Sequence, residues 1–254
     1  MAAMPVPPTS NPVVEPTPLS EPARLIDTFI APSKTFTDLR RNASWWAPFL
    51  ISLVVSVIFV SVVDQKVGFR KVVENQLRAQ PKQAQRIENL PADQREKTMQ
   101  QQVGFTKGFS YGFPVVLLIW NAIVAAVLFG TLKFAASAEI KFKTLFALVI
   151  YAGLPGVFKA ILAVLSLVAG VSSDGFTFQN PVATNPGYFL DPASSPVLYS
   201  LFTSLDLFTI WTLVLGAIGI TCISKVKTGT AFAIVFGWFG VLVLIGVGIA
   251  AAFA

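Results

Sequence analysis

The chain has 254 residues, 54% of them hydrophobic and only 13% charged, where a soluble protein carries about 25% charged residues; that is too little charge to coat a water-soluble globule. There is no histidine and a single cysteine, Cys222, which removes the commonest general base and metal ligand and any intrachain disulfide. The formal charge of +6 is unevenly spread, nine Lys/Arg against five Asp/Glu in residues 64–107 and none against three in residues 170–224, a pattern of membrane orientation and not of nucleic-acid binding.

The first twenty residues hold six prolines and no Lys or Arg, so they lack the basic start and apolar run of a secretory signal and are expected to form a disordered, Pro-rich tail, residues 1–20. Residues 21–44 read as an interfacial amphipathic segment: a helix there places Leu25, Ile26, Phe29 and Ile30 on one face, and Ser33-Lys34-Thr35-Phe36 opens a second turn with Phe36 and Leu39 apolar. Arg40 and Arg41 followed by Trp45 and Trp46 are interfacial anchors, a place where amphipathic rings settle among headgroups, and Pro48 suits a first helical turn.

Five apolar runs follow, at residues 45–63, 109–132, 144–171, 197–224 and 230–254. Each reaches the roughly 20 residues that a helix needs to cross about 30 Å of hydrocarbon. None shows the polar face that a helix of a soluble bundle turns to water. The expected fold is therefore all-α, a polytopic transmembrane bundle of about five spans forming one domain, residues 45–254, with a polar helical loop at 64–108.

That loop is rich in Gln and carries Pro81 and Pro91, which predicts two short surface helices broken at the prolines, their charges facing solvent. The third run is interrupted by Gly153-Leu154-Pro155-Gly156 with Lys159 following, so a kink or two half-helices within one span are expected. Pro181, Pro186, Pro192 and Pro196 mark an irregular loop before the fourth span. The link Lys225-Val226-Lys227-Thr228-Gly229 is short enough to make the last two spans a helical hairpin.

With the amino terminus inside, the inner segments and the one long outer loop each hold nine Lys/Arg. The inner charges sit in short, dense links, which steer insertion more strongly, so the amino terminus is placed in the cytoplasm and the carboxyl terminus outside.

Three polar groups fall inside the spans: Asn121, Lys159 and Asp206. They lie about 18, 18 and 14 Å from the outer ends of their runs, deep enough for an unpaired charge to be costly. Lys159 and Asp206 can form an intramembrane ion pair with Asn121 as a third partner, locking the bundle or lining a polar path. Alternatively, Lys159 snorkels to a headgroup, Asp206 is protonated or caps a neighbour, and Asn121 makes one interhelical hydrogen bond. Ala122, Ala126 and Gly130 recur at four-residue spacing, as do Ala233 with Gly237 and Gly246 with Ala250; such helix-packing stripes let backbones approach, within the bundle or between copies.

The stretch APSKTFTDLRRNASWWAPFL and the Tyr-x-x-x-Pro motif of Tyr151 and Pro155 resemble the Yip (Ypt-interacting protein) domain family, over residues 24–254. Where the family often has Gly before that Tyr, this chain has Ile150. The resemblance implies five spans, a cytoplasmic amino terminus and, for Tyr151 and Pro155, a kink. Eukaryotic members of the family act in vesicle traffic with Rab-type GTPases, but the SKTF…RRNASWW opening is similar to the bacterial branch, so a Rab partner is not carried over. The implied protein is a non-catalytic scaffold or organising factor of the inner membrane. Its partners are membrane lipids and a membrane protein or second copy; no cofactor, metal or nucleic acid is implied. A small ion, proton or solute transporter built on the polar cluster is the alternative. An intramembrane enzyme would need a histidine base or a second in-span Asp, and neither is present.

Overall fold

The computed structural model describes residues 17–171 and 173–253, and every regular element among them is helical. Of the predicted tail only residues 17–20 are described; the remainder lies outside the described residues. Ser20 caps the first helix, its hydroxyl accepting from Ala23 N at 3.4 Å, a bond that satisfies one of the orphan N–H groups of a helix start. Helix α1 (Glu21–Ile30) stops where Pro32 restricts Ala31, and Pro32 then opens α2 (Pro32–Asp38) from the first helical position.

The apolar face predicted for this segment is split. Leu25 and Phe29 pack on the core, whereas Ile26 and Ile30 are 59% and 75% exposed. Helix α2 lies against α10 (Leu207–Ile223) and buries Phe36 and Leu39 completely. The segment is thus docked on the bundle through one face, with Ile26 and Ile30 left open on the other.

Helix α3 (Trp46–Lys66) is apolar all round, as expected of a membrane span. Gly68, at φ +80°, turns the chain into α4 (Phe69–Arg78) and α5 (Pro81–Glu88); a left-handed backbone there favours glycine. The third stretch of the polar segment is not a surface element of its own. After Pro91 the chain enters α6 (Ala92–Ala135), 44 residues without a break. At about 1.5 Å per residue it is about 66 Å long, roughly twice the hydrocarbon thickness, so the second span is the lower part of a rod that stands out of the bilayer. Gln, Glu, Lys, Arg and Met extend the helix above the span. Pro114 removes one backbone hydrogen bond without ending it.

The third span consists of α7 (Phe142–Ala152) and α8 (Pro155–Val168), joined across Gly153 and Leu154 with Pro155 opening α8. The fourth is not one continuous helix: α9 (Pro196–Ser204) and α10 meet at a 46° bend. The cause is Asp206, whose carboxylate takes the N–H groups of Phe208 and Thr209 and so starts a new helix. Helix α11 (Thr228–Phe253) completes the bundle. Four helices, counting α7 with α8, are long and apolar enough to cross a membrane, and the count is five if the bent pair is taken as one span. The protein is a polytopic helical membrane protein.

Helix α7 is central: Leu145, Ala147, Leu148 and Tyr151 are buried in one cluster with Leu128 and Leu132 of α6, Leu215 and Ile220 of α10, and Ala231 of α11. Gly219 lets α10 approach α7, since a Cβ there would stand 2.6 Å from Leu148 Cδ1.

Candidate functional site

Asp206 is the hub of the polar interior and is only 2% exposed. Its Oδ1 accepts from Phe208 N at 3.0 Å and Thr209 N at 3.2 Å, capping α10. Its Oδ2 receives Lys159 Nζ at 3.0 Å, Asn185 Nδ2 at 3.5 Å and a short hydrogen bond from the Thr184 hydroxyl. The structure therefore brings Lys159 and Asp206 together. Asn121, half-buried on α6, is not part of this group; no hydrogen bond joins it to either residue among the described residues.

Thr184 and Asn185 come from the proline-rich loop, which is far from shapeless. Leu207 N donates to Thr184 O at 3.0 Å, Asn185 Nδ2 donates to Asn180 Oδ1 at 2.8 Å, and Asn185 Oδ1 accepts from Tyr188 N at 3.0 Å to start the 3-10 turn Pro186–Phe189. Asn180-Pro181 and Asn185-Pro186 are turn-initiating pairs, the signal in the sequence that could have found these buried asparagines. Gly187 lets the turn lie directly on α9: a Cβ there would stand 2.6 Å from Thr203 N and 2.9 Å from Thr203 Cα. Since neither backbone can yield, Gly187→Ala is expected to lift the loop and lower stability by about 1–3 kcal/mol. A thermal unfolding midpoint in detergent measures this, with Gly216→Ala, where a Cβ meets nothing within 4 Å, as the matched control.

A second polar cluster joins the amino-terminal helices to the bundle, and the sequence pattern did not reveal it. Arg24 is 1% exposed; its Nε and Nη2 reach Asp38 Oδ2 at 2.8 and 2.7 Å, and its Nη1 lies 3.3 Å from Glu21 Oε1. The Tyr151 hydroxyl donates to Glu21 Oε2 at 2.9 Å. The Thr28 and Thr35 hydroxyls donate to Arg24 O at 2.7 and 2.9 Å. Tyr151, at the last turn before the α7–α8 break, is thus a tether as well as a neighbour of Pro155.

Of the interfacial anchors, Arg40 and Arg41 are exposed, Trp45 stands edge-on to Phe146 at 5.5 Å, and Trp46 is mostly exposed. The inward face of α6 is Ala125, Leu128 and Leu132, whereas Ala126 of the small-residue stripe is exposed and a Cβ on Gly130 would touch nothing within 4 Å. Close packing within the chain is made by Gly187 and Gly219 instead.

A cavity of about 970 Å³ opens between α3, α6 and α8 beneath α4 and α5, with Lys159 in its wall. Its cover is clipped in place by Arg70, whose Nη1 and Nη2 lie 3.0 Å from the two Glu96 carboxylate oxygens, and by Asn75, whose amide donates to Ser173 O at 3.1 Å and Phe176 O at 3.0 Å. The hydrogen bonds from Arg70, with a further one from Gln100, hold the Glu96 carboxyl below the usual carboxylate range. Among the described residues no group of three His, Cys, Asp or Glu could hold a metal ion.

Comparison with known proteins found no match among curated proteins or solved structures. The family model described as the Yip1 domain matches residues 26–250, a stretch that takes in the second half of α1, all of α2, the Lys159–Asp206 hub, the cavity and nearly all of α11, and the chain therefore belongs to the Yip1 domain family.

Proposed function

We propose that the protein is a non-catalytic scaffold or organising factor of the inner membrane, its amino terminus in the cytoplasm and its carboxyl terminus outside. Its working partners are membrane lipids and a membrane protein or second copy of the chain. The observation that carries this reading is how the membrane-level charges are used. Asp206 spends both oxygens on a helix cap, a loop and Lys159, so the pair ties α8, the α9–α10 break and the proline-rich loop into one unit. A carrier must release and remake its charged contacts each cycle; here the carboxylate that meets Lys159 is held in place by the Phe208 and Thr209 amides and the Thr184 hydroxyl.

The cavity that reaches Lys159 favours transport as a second reading. Proteoliposomes holding the purified chain and a pH-sensitive dye separate the two. The scaffold reading expects proton and potassium flux equal to that of protein-free vesicles. Flux above that level, abolished by Lys159→Met, would replace it with transport.

A further inference from the structure

The cavity has a composition graded along the membrane normal. Lys107 Nζ stands 2.8 Å from Asp64 Oδ2, which sets Lys107 of α6 level with the end of α3. On α6 the lining runs from Thr98 to Leu117, from about 13 Å above that level to about 15 Å below it at about 1.5 Å per residue. The space is therefore a vestibule leading from the layer of α4 and α5 to near mid-bilayer. Its volume of about 970 Å³ is at the top of the range for small-molecule sites, about 300–1,000 Å³.

The lower wall is mostly apolar, with Phe59 and Val60 of α3, Phe109, Phe113 and Leu117 of α6, and Val157 of α8, interrupted by the hydroxyls of Ser52, Ser56 and Ser110. The upper rim consists of Gln76, Gln80 and Gln83 facing Thr98, Gln101 and Gln102. Thr98, Gln101 and Gln102 share one face of α6 by their spacing of three and four residues, whereas Gln76 belongs to α4, Gln80 to the link and Gln83 to α5. The five carboxamides make no side-chain hydrogen bond among the described residues, so each keeps donors and an acceptor for a guest. Residues 64–107 contain nine Lys/Arg and five Asp/Glu, yet none of them lines the vestibule. The one charge in the wall, Lys159, is balanced by Asp206.

A rim of neutral amides over an apolar shaft fits an amphiphile whose head offers hydroxyl groups and no charge. Phe105, 73% exposed just below Gln101 and Gln102, presents a ring face to the apolar side of a sugar. We propose that the vestibule binds a membrane lipid with an uncharged, hydroxyl-rich head of the glycolipid kind, its chain along α3 and α6 and its head among the glutamines. A phospholipid with an anionic head would meet a rim that carries no cation.

The test is native mass spectrometry of the full chain released from nanodiscs of phosphatidylethanolamine, phosphatidylglycerol and monoglucosyl diacylglycerol in equal parts. The glucolipid is expected to be retained roughly tenfold over phosphatidylglycerol. Gly156→Leu, at a lining position where a Cβ meets nothing within 4 Å, fills the shaft and is expected to abolish that enrichment with the unfolding midpoint unchanged. Gln76→Leu with Gln101→Leu leaves the shaft open and is expected to abolish the preference for the glucolipid while lipid is still retained; this arm stands if the Gly156→Leu variant does not fold. Retention in the ratio of the three lipids, preference for phosphatidylglycerol, enrichment unchanged in both variants, or displacement by free glucose would each overturn the proposal. The flux assay that decides between scaffold and carrier is independent of all four outcomes.

Discussion

Replacing Asp206 with alanine is expected to destabilise the bundle by about 3–5 kcal/mol, because it removes one partner of a buried pair and leaves the other charged. Lys159, with a side chain 21% exposed, would stand about 14 Å below the end of α8 facing Thr184 and Asn185, which cannot neutralise it. An unpaired Lys at the centre of a span costs about 2.5–3.5 kcal/mol on insertion scales. The lost cap on Phe208 and Thr209 adds about 1 kcal/mol. Asp206→Asn preserves the cap, since Asn serves there as well as Asp, and should fall in between. Lys159→Met should cost less than Asp206→Ala, because Asp206 keeps its hydroxyl and backbone donors. Joining Lys159→Met with Asp206→Asn should recover stability relative to the sum of the two. Unfolding midpoints in detergent for the four chains form the cycle; additivity within about 0.5 kcal/mol would show that the pair is not coupled.

The apolar runs were legible because lipid leaves no alternative: a backbone in hydrocarbon must satisfy its own polar groups, and only long apolar helices do so. Period and run length carry that information locally. What escaped was where a run bends and what its ends touch. The fourth run is uncharged apart from Asp206, so length alone made it one helix; the break follows from the bonds of Asp206 to the α10 amides, with Thr184 and Lys159 reaching its other oxygen from elsewhere in the fold. In the same way Glu21, Arg24 and Asp38 look like ordinary surface charges along the chain. They become an interior cluster only when Phe36 and Leu39 seat α2 on α10 and bring Tyr151 within reach of Glu21. The glutamines of residues 76–102 could be read only as a solvated face until α4, α5 and the upper part of α6 were seen to turn theirs towards one another.

Arg24→Met is expected to release α1 from the bundle, raising amide exchange in α1 about a hundredfold or more while α7 stays protected. The side chain lost is 1% exposed, and its guanidinium holds Asp38 through two nitrogens and Glu21 through a third. Without it Asp38 is a buried carboxylate lacking a cation, a penalty of about 3–5 kcal/mol, and each ~1.4 kcal/mol is tenfold in the opening equilibrium. The chain can escape the penalty by letting α1 and α2 swing out to water, at the cost of exposing Phe36 and Leu39, each worth about 1.5–3 kcal/mol when buried. Since the two terms are close, α1, whose apolar contacts with the core are those of Leu25 and Phe29, should open before α2. Tyr151→Phe removes a single hydrogen bond to a charged acceptor, worth about 1.5–3 kcal/mol, and should raise exchange in α1 less. Lysine at position 24 should rescue Arg24→Met only in part, because an ammonium cannot span Asp38 and Glu21 with a planar fork. Exchange in α1 that is unchanged by Arg24→Met would mean that the helix is held by its apolar contacts alone and that the buried charges merely tolerate one another.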